Sequence, residues 1–252
     1  VEYTEVTCQS AEGFGTGYTW RLDVGGAITG SSAETSSYFR PAISTIEPTS
    51  MATPGGDPIR INGTNLGPLV AIVTAEYDDG STTFTATGCA VTVPHLQITC
   101  NNAEGMGTNF AWAVTVGGQV SDPSPVLTSY TPPRVLSLDV EVGPIGGGTV
   151  IVVSGSNFGT SGDVYIHLAD AATTETCTVG TPTDYTHGAI TCTTPAIGAA
   201  DSGYVEVEAG GQSSEFFGTD IAYHYYEVGG ITPTLGPVVG GTTVTISGEG
   251  FY

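Results

Sequence analysis

The chain of 252 residues carries 25 acidic residues against four arginines and no lysine, which gives a formal net charge of −21 at pH 7. Proteins that bind nucleic acids or anionic membranes need clustered basic side chains, so this balance argues against both classes. The chain contains no run of about 20 apolar residues such as a membrane-spanning helix needs. Its 37 glycines, 15 prolines and short apolar runs are typical of an all-β protein rich in turns.

The acidity has two interpretations. The carboxylates could form a solvated surface that keeps an extracellular protein soluble. They could instead be screened by salt or by divalent cations at contacts between domains or subunits. The best local candidate for calcium is Asp78-Asp79-Gly80, although it lacks the spacing of a calcium-binding loop. We therefore expect no cofactor, with calcium as the alternative.

One phrase occurs three times along the chain: a glycine pair, a run rich in β-branched residues, and a second turn. Its copies are residues 55–67, 146–159 and 240–252. Such a phrase predicts one short buried strand held between two tight turns. Three copies in one chain indicate a repeat protein.

Cysteine and tryptophan positions give the length of the repeat. Cys8, Cys100 and Cys192 follow one another at intervals of 92 residues, and Trp20 and Trp112 keep the same interval. The joints between repeats are short, so we expect neighbouring domains to touch. The interval divides the chain into the C-terminal half of one domain, two whole domains and the N-terminal start of a further domain: residues 1–40, 41–131, 132–226 and 227–252.

Within these parts, apolar and polar residues alternate as they do in a strand with one buried face. In chain order, such segments are residues 18–24, 110–116 and 205–209. Trp20 and Trp112 lie on the apolar phase, which predicts core residues rather than a sugar-binding platform. No segment has a helical period, so each domain of roughly 90 residues is expected to be a two-sheet sandwich.

The five cysteines predict two disulfide bonds. Cys89 and Cys100 flank one predicted hairpin, and Cys177 and Cys192 flank another, so we predict the bonds Cys89–Cys100 and Cys177–Cys192. Buried free thiols are the alternative. Metal binding is disfavoured because the four histidines do not cluster at ligand spacing. The repeat places the partner of Cys8 upstream of Val1.

The repeated glycine phrase and the sequence Ile-Thr-Cys, which ends at Cys100 and again at Cys192, together resemble the IPT/TIG immunoglobulin-like domain. Residues 189–195 (Ala-Ile-Thr-Cys-Thr-Thr-Pro) and 240–251 carry the resemblance, although Asn101-Asn102-Ala103 replaces the usual Thr-Pro after Cys100. Similar domains occur in ectodomains of the plexin, hepatocyte growth factor receptor and fibrocystin type, in microbial surface proteins and in Rel-type transcription factors. The resemblance implies an immunoglobulin-like sandwich that acts as a spacer or interaction surface, without catalysis. The acidic balance and the paired cysteines disfavour the Rel branch.

Two further segments are candidate sites. Asn62 begins an N-glycosylation sequon, which we expect at the turn after a strand. The aromatic run that ends the third part would offer a partner or interdomain contact if exposed. Tyr223 holds a repeat position and is expected to close the end of its domain, which leaves His224, Tyr225 and Tyr226 as the contact candidates.

These observations favour an extracellular or cell-surface structural protein, a string of TIG domains that forms a filament, stalk or coat. Its expected partners are copies of itself or other extracellular proteins, with no nucleic acid and no membrane insertion within this segment. The alternative is a receptor or adhesin ectodomain that binds a protein or glycan ligand. An exposed aromatic or apolar patch present on one domain and absent from its repeats would favour that alternative. A domain string attached to an enzyme is a third hypothesis, although the segment itself shows no catalytic motif.

Overall fold

The computed structural model describes residues 4–169, 173–199, 201–214 and 221–251. The chain divides into two compact units. The first comprises Val1–Met51, Gly55–Ala103 and Asn109–Ser129, and the second comprises Ala52–Pro54, Glu104–Thr108 and Tyr130–Tyr252. No helix among the described residues has the length and apolar character needed to cross a membrane.

The described residues form strands joined by turns, with one short 3-10 helix at Pro182–Asp184. The strands up to residue 130 are β1 (Tyr18–Thr19), β2 (Asp23–Val24), β3 (Ala27–Ile28), β4 (Thr35–Ser36), β5 (Ala42–Glu47), β6 (Ser50–Met51), β7 (Pro58–Thr64), β8 (Val73–Asp78), β9 (Thr83–Thr85), β10 (Thr87–Val93), β11 (Gln97–Asn101), β12 (Ala111–Val116), β13 (Gln119–Val120) and β14 (Ser129–Tyr130). The later strands are β15 (Arg134–Leu138), β16 (Val142–Pro144), β17 (Val150–Ser156), β18 (Asp163–Leu168), β19 (Thr174–Val179), β20 (Ala189–Thr193), β21 (Ser202–Ala209), β22 (Gln212–Ser213), β23 (Ala222–Thr232) and β24 (Thr245–Glu249).

The first unit contains two four-stranded sheets. One has the strand order β10-β11-β7-β5 and the other has the order β13-β12-β8-β9. Ile59 and Ile61 of β7 are buried, as are Trp112 and Val114 of β12. On β8, buried residues alternate with exposed ones along the whole strand. This period of two confirms the predicted all-β fold with half-buried strands.

In the second unit, one path of paired strands runs β15-β17-β20-β19-β18-β21-β23-β16, with β22 paired to β21 and β24 paired to β23. β19 pairs with β18 through residues 174–177 and with β20 through residues 178–179. A single strand therefore crosses from one half of the core to the other. The largest buried side chains of this core are Phe158, Tyr223 and Tyr225, packed among β-branched residues of β17, β18 and β21.

The described part of residues 1–40 is less regular than its repeats. Its strands have two residues each and pair only with one another, β1 with β4 and β2 with β3. Trp20 is 45% exposed, whereas Trp112 at the same repeat position is fully buried at 0%. The prediction of a core residue is therefore correct for Trp112 and wrong for Trp20. Among the described residues, no second sheet covers the strands beside Trp20. The apolar side of these strands is therefore partly exposed to solvent.

Near the other end of the chain, the predicted boundary between residues 226 and 227 lies inside a strand. β23 pairs with β21 and with β16 before this boundary, and with β24 after it. The same strand thus contributes to two successive parts of the repeat. The domain boundaries stay predictions, but this joint has no separate linker within the described residues.

Candidate functional site

The structure joins both predicted cysteine pairs. Cys89 of β10 is bonded to Cys100 of the adjacent strand β11, and Cys177 of β19 is bonded to Cys192 of β20. Cys8 is the free cysteine of the described residues and is exposed. The bonded cysteines cross-link neighbouring strands, which is a structural role.

Asn62 lies inside strand β7 rather than at the turn that the sequence suggested. Its side-chain amide nitrogen donates a hydrogen bond to Thr45 Oγ1 at 3.0 Å, and its side-chain oxygen accepts one from Gln97 Nε2 at 2.9 Å. The predicted position at a turn is therefore wrong. The sequon coincides with the end of β7, because the backbone pairing of this strand with β5 continues through Asn62, Gly63 and Thr64.

We expect Asn62 to be unglycosylated in the folded protein. A glycan on its amide nitrogen would replace the hydrogen bond to Thr45 and crowd the neighbouring strands β5 and β11. Intact mass and peptide mapping of protein secreted from a eukaryotic host would measure occupancy, with Asn62→Gln as the control that fixes the unmodified mass. A glycan on most molecules would contradict the expectation.

In the candidate calcium turn, the Asp79 carboxylate accepts hydrogen bonds from the backbone of the turn itself. Asp79 Oδ1 accepts hydrogen bonds from the backbone nitrogens of Ser81 and Thr82 at 2.9 and 2.7 Å. The bond from Thr82 and then those from Ser81 hold the pKa of Asp79 below its ordinary value. Among the described residues, no group of three or more acidic, histidine or cysteine side chains could hold a metal ion. Calcium binding therefore stays a prediction.

The three aromatic contact candidates near residue 225 divide between the two faces of β23. Tyr225 is 0% exposed and meets Tyr223 edge to face, with ring centroids 4.9 Å apart. Burial raises its pKa well above the ordinary value. Tyr225 is thus a core residue, and its prediction as a contact residue is wrong. Side chains alternate along a strand, so Tyr225 shares the buried face of Tyr223, and His224 and Tyr226 lie on the opposite, partly exposed face.

A set of polar contacts that the sequence did not reveal occurs once in each unit. In the first, Glu12 Oε1 lies 2.6 Å from His95 Nε2. In the second, Glu104 Oε1 lies 2.7 Å from His187 Nε2. Both residues of the second pair stand 92 positions after those of the first. The histidines are mostly covered, but Glu104 remains 60% exposed, so each pair is expected to contribute at most about 1 kcal/mol.

A second contact follows the same interval. Gln119 Nε2 donates a hydrogen bond to the backbone oxygen of Tyr38 at 3.0 Å. In the other unit, Gln212 Nε2 donates to the backbone oxygen of Tyr130 at 3.1 Å. The glutamine follows the same glycine hairpin in both cases. The bond therefore ties that hairpin to the end of the preceding repeat.

In the third contact, two glycines approach each other. A Cβ atom on Gly117 would lie 3.1 Å from Gly15 Cα, and one on Gly210 would lie 2.6 Å from the Gly107 nitrogen. Gly117 and Gly210 also have φ angles of 56° and 58°, because each is the first residue of a two-residue hairpin turn. Both positions need glycine, for backbone geometry and for space. We call the Glu–His pair, the glutamine bond and the glycine approach the recurring contact.

The close approach at Gly210 gives a testable difference between two adjacent glycines. Both Gly210 and Gly211 have positive φ, but a Cβ atom on Gly211 would meet nothing within 4 Å. We expect Gly211→Ala to lower the free energy of unfolding by about 1–2 kcal/mol from backbone strain alone. Gly210→Ala should lower it by about 1 kcal/mol more, because the methyl group overlaps Gly107. Denaturant unfolding measures both variants, and equal losses would contradict the predicted overlap.

The second unit also presents a polar and aromatic sheet face, which we call the tyrosine face. Its members are the outward side chains of two paired strands: Asp163, Tyr165 and His167 of β18, and Tyr204, Glu206 and Glu208 of β21. The His167 ring stacks on Tyr204 with centroids 4.6 Å apart and an interplanar angle of 15°. Its Nε2 pairs with the Glu206 carboxylate, and its Nδ1 lies 3.0 Å from Thr174 Oγ1. The imidazole is therefore held in place on three sides.

Comparison with protein families agrees with this architecture. Residues 41–131 and 125–225 each match the IPT/TIG domain. Together the two matches span well over half of the chain. The chain belongs to the IPT/TIG domain family. The two glycine hairpins of the recurring contact, at Gly117 and Gly210, lie one in each of these TIG matches.

Individual relatives are more distant. Human Plexin-B1 is 30% identical over 124 residues, which cover 49% of this chain and 6% of the relative. The adhesin InvE of Yersinia pseudotuberculosis is 15% identical over 73% of this chain and 58% of its own, with a TM-score of 0.41. The extracellular region of plexin A4 is 20% identical over 73% of this chain and 18% of its own, with a TM-score of 0.32. The family assignment rests on the TIG matches.

Proposed function

We propose that this chain is part of an extracellular structural protein, a string of TIG domains that forms a filament, stalk or coat. The recurring contact carries the proposal. Each copy links one repeat to two segments of the next, at the histidine and at the glycine hairpin. Both copies use the same residue types 92 or 93 positions apart. A repeat that brings its own contact surfaces can be extended by adding further copies, as in other repeat proteins.

The chemistry of the chain supports an oxidising, extracellular compartment. Two disulfide bonds cross-link neighbouring strands, and such bonds persist outside the cytosol. A net charge of −21 favours solubility of a long exposed protein. The proposed role is structural rather than catalytic, and the proposed partners are copies of the protein or other extracellular proteins.

Immunoelectron microscopy of the native material, with antibodies raised against this chain, would test the structural role. We expect label along extracellular filaments, stalks or a surface coat, and loss of the label when the antibody is first absorbed with the purified chain. Isolated full-length molecules that are free in the medium and absent from any assembly would contradict the proposal.

A second candidate function is a receptor or adhesin ectodomain that binds a ligand. The tyrosine face favours this candidate, because the corresponding face of the first unit has no aromatic member. A structural string can also carry such a face, so the two functions are separable by experiment.

A further inference from the structure

The tyrosine face differs from its counterpart in the first unit at every position. The counterpart face is defined by the equivalent paired strands and holds Thr74, Glu76 and Asp78 of β8, and Ala111, Ala113 and Thr115 of β12. In both units, these side chains lie on the side of the sheet that faces away from the core. Packing between the two sheets of a sandwich therefore does not determine their identity. Three aromatic rings on one copy, where the other has none, therefore require a separate explanation.

The aromatic members form a row across the two strands. Tyr204 and His167 are stacked, and Tyr165 follows with its ring centroid 6.2 Å from that of His167. These side chains are only partly buried. Partly exposed aromatic rings that hold one another in position offer a rigid contact area at a low cost in conformational entropy. The tyrosine face is thus preorganised for binding.

The charges on the face determine what kind of partner fits. Asp163 lies directly opposite Glu208 in the strand register, an arrangement of like charges that is unfavourable in a sheet. His167 alone among the six members can carry a positive charge, and it is already paired with Glu206. Among the described residues, no cationic side chain pairs with Asp163 or Glu208. Burial raises the pKa of the Tyr165 phenol, and the nearby carboxylates of Asp163 and Glu208 raise it further.

Strand addition and self-association are both poor explanations for the face. β18 and β21 are paired with strands on both sides, so a partner would contact side chains and not a free sheet edge. A second copy of the chain would bring another net charge of −21, with four arginines and no lysine against 25 acidic residues. Arginine and lysine side chains, by contrast, bind carboxylates and also stack on aromatic rings.

We propose that the tyrosine face is a docking surface for an arginine- or lysine-bearing segment of a different extracellular protein. The cationic side chains bind Asp163 and Glu208, and their flat or apolar parts lie on the rings of Tyr204 and Tyr165. The proposal is independent of the filament or coat role, because it requires only that the second unit is folded and accessible.

A binding experiment with the whole chain tests this surface. The probe is a fluorescent hexapeptide of alternating arginine and glycine, measured by anisotropy at low salt, with citrulline in place of arginine as the uncharged control. We expect Asp163→Asn/Glu208→Gln to weaken binding about fivefold. The matched variant Glu76→Gln/Asp78→Asn removes two charges from the counterpart face and should leave binding within about twofold of the unmodified chain.

The aromatic contribution needs its own variant. Tyr204→Ala should weaken binding about threefold while the circular dichroism spectrum stays unchanged. Equal losses of affinity in the two charge variants would show that the peptide is attracted by the overall charge of the chain. Unchanged affinity in Tyr204→Ala would show that the aromatic rings take no part in binding. Either result overturns the proposal. Binding of a neutral oligosaccharide that depends on Tyr204 but not on Asp163 or Glu208 would assign the face to a glycan and would also overturn it.

Discussion

Trp112→Ala is expected to lower the free energy of unfolding of the first TIG unit by about 3–5 kcal/mol. The side chain is fully buried, and its ring stacks on Tyr77 with centroids 4.3 Å apart. Its Nε1 also donates a hydrogen bond to Thr128 Oγ1 at 2.9 Å. Alanine would therefore leave a cavity, remove a stacked ring and leave the Thr128 hydroxyl without its donor. Hydrogen exchange of the β8 and β12 amides measures the loss in the unit concerned.

Trp20 provides the matched control for this experiment. It occupies the same repeat position, and its Nε1 donates to Ser36 Oγ at 2.9 Å, 16 residues further along, as Trp112 does to Thr128. It is nevertheless 45% exposed. We expect Trp20→Ala to cost far less than Trp112→Ala, because much of its ring is already in water. Similar losses for the two variants would show that the burial assigned to Trp112 is not what stabilises the unit.

Removing the disulfide of the second unit is expected to have a comparable effect. Cys177→Ala/Cys192→Ala opens a loop whose ends are 15 residues apart in sequence, which should lower the free energy of unfolding by about 3 kcal/mol in the chain-entropy account. Both sulfurs are also buried, so the lost packing adds to this loss. Denaturant unfolding of the variant against the unmodified chain measures the difference.

Two controls accompany the disulfide variant. Cys8→Ala removes the free, exposed thiol and should leave the unfolding midpoint unchanged. Cys89→Ala/Cys100→Ala opens a shorter loop of 11 residues and should cost slightly less, since only Cys100 is fully buried. An unfolding midpoint that does not move when the unmodified protein is fully reduced would contradict the stabilising role of both bonds.

Much of the architecture follows from short-range patterns in the sequence. The alternation in residues 110–116 assigned Trp112 to the core, and the hairpins between cysteines identified the bonded pairs. Both inferences depend only on the two-residue period of a strand and on residues fewer than 20 positions apart. The same period places Tyr225 on the buried face of Tyr223, two positions away on one strand, so a contact role for Tyr225 conflicts with it.

Long-range contacts were beyond such patterns. The Glu–His pairs join residues 83 positions apart, and neither partner has a local signal. Their equal spacing in two repeats was the available clue, because Glu12 and Glu104 follow equivalent cysteines. The tyrosine face depends on the register that sets Tyr165 opposite Glu206. A shift of one residue would bury these side chains, and only the structure gives the register.

Nuclear Overhauser measurements on a glycine-labelled chain test the recurring contact, on which the structural proposal depends. We predict cross-peaks between Gly15 and Gly117 and between Gly107 and Gly210, because each pair approaches within van der Waals contact. Absence of both cross-peaks, while the amides of β12 and β21 still show the exchange protection of folded strands, would contradict the claim that the repeat carries its own contact surfaces.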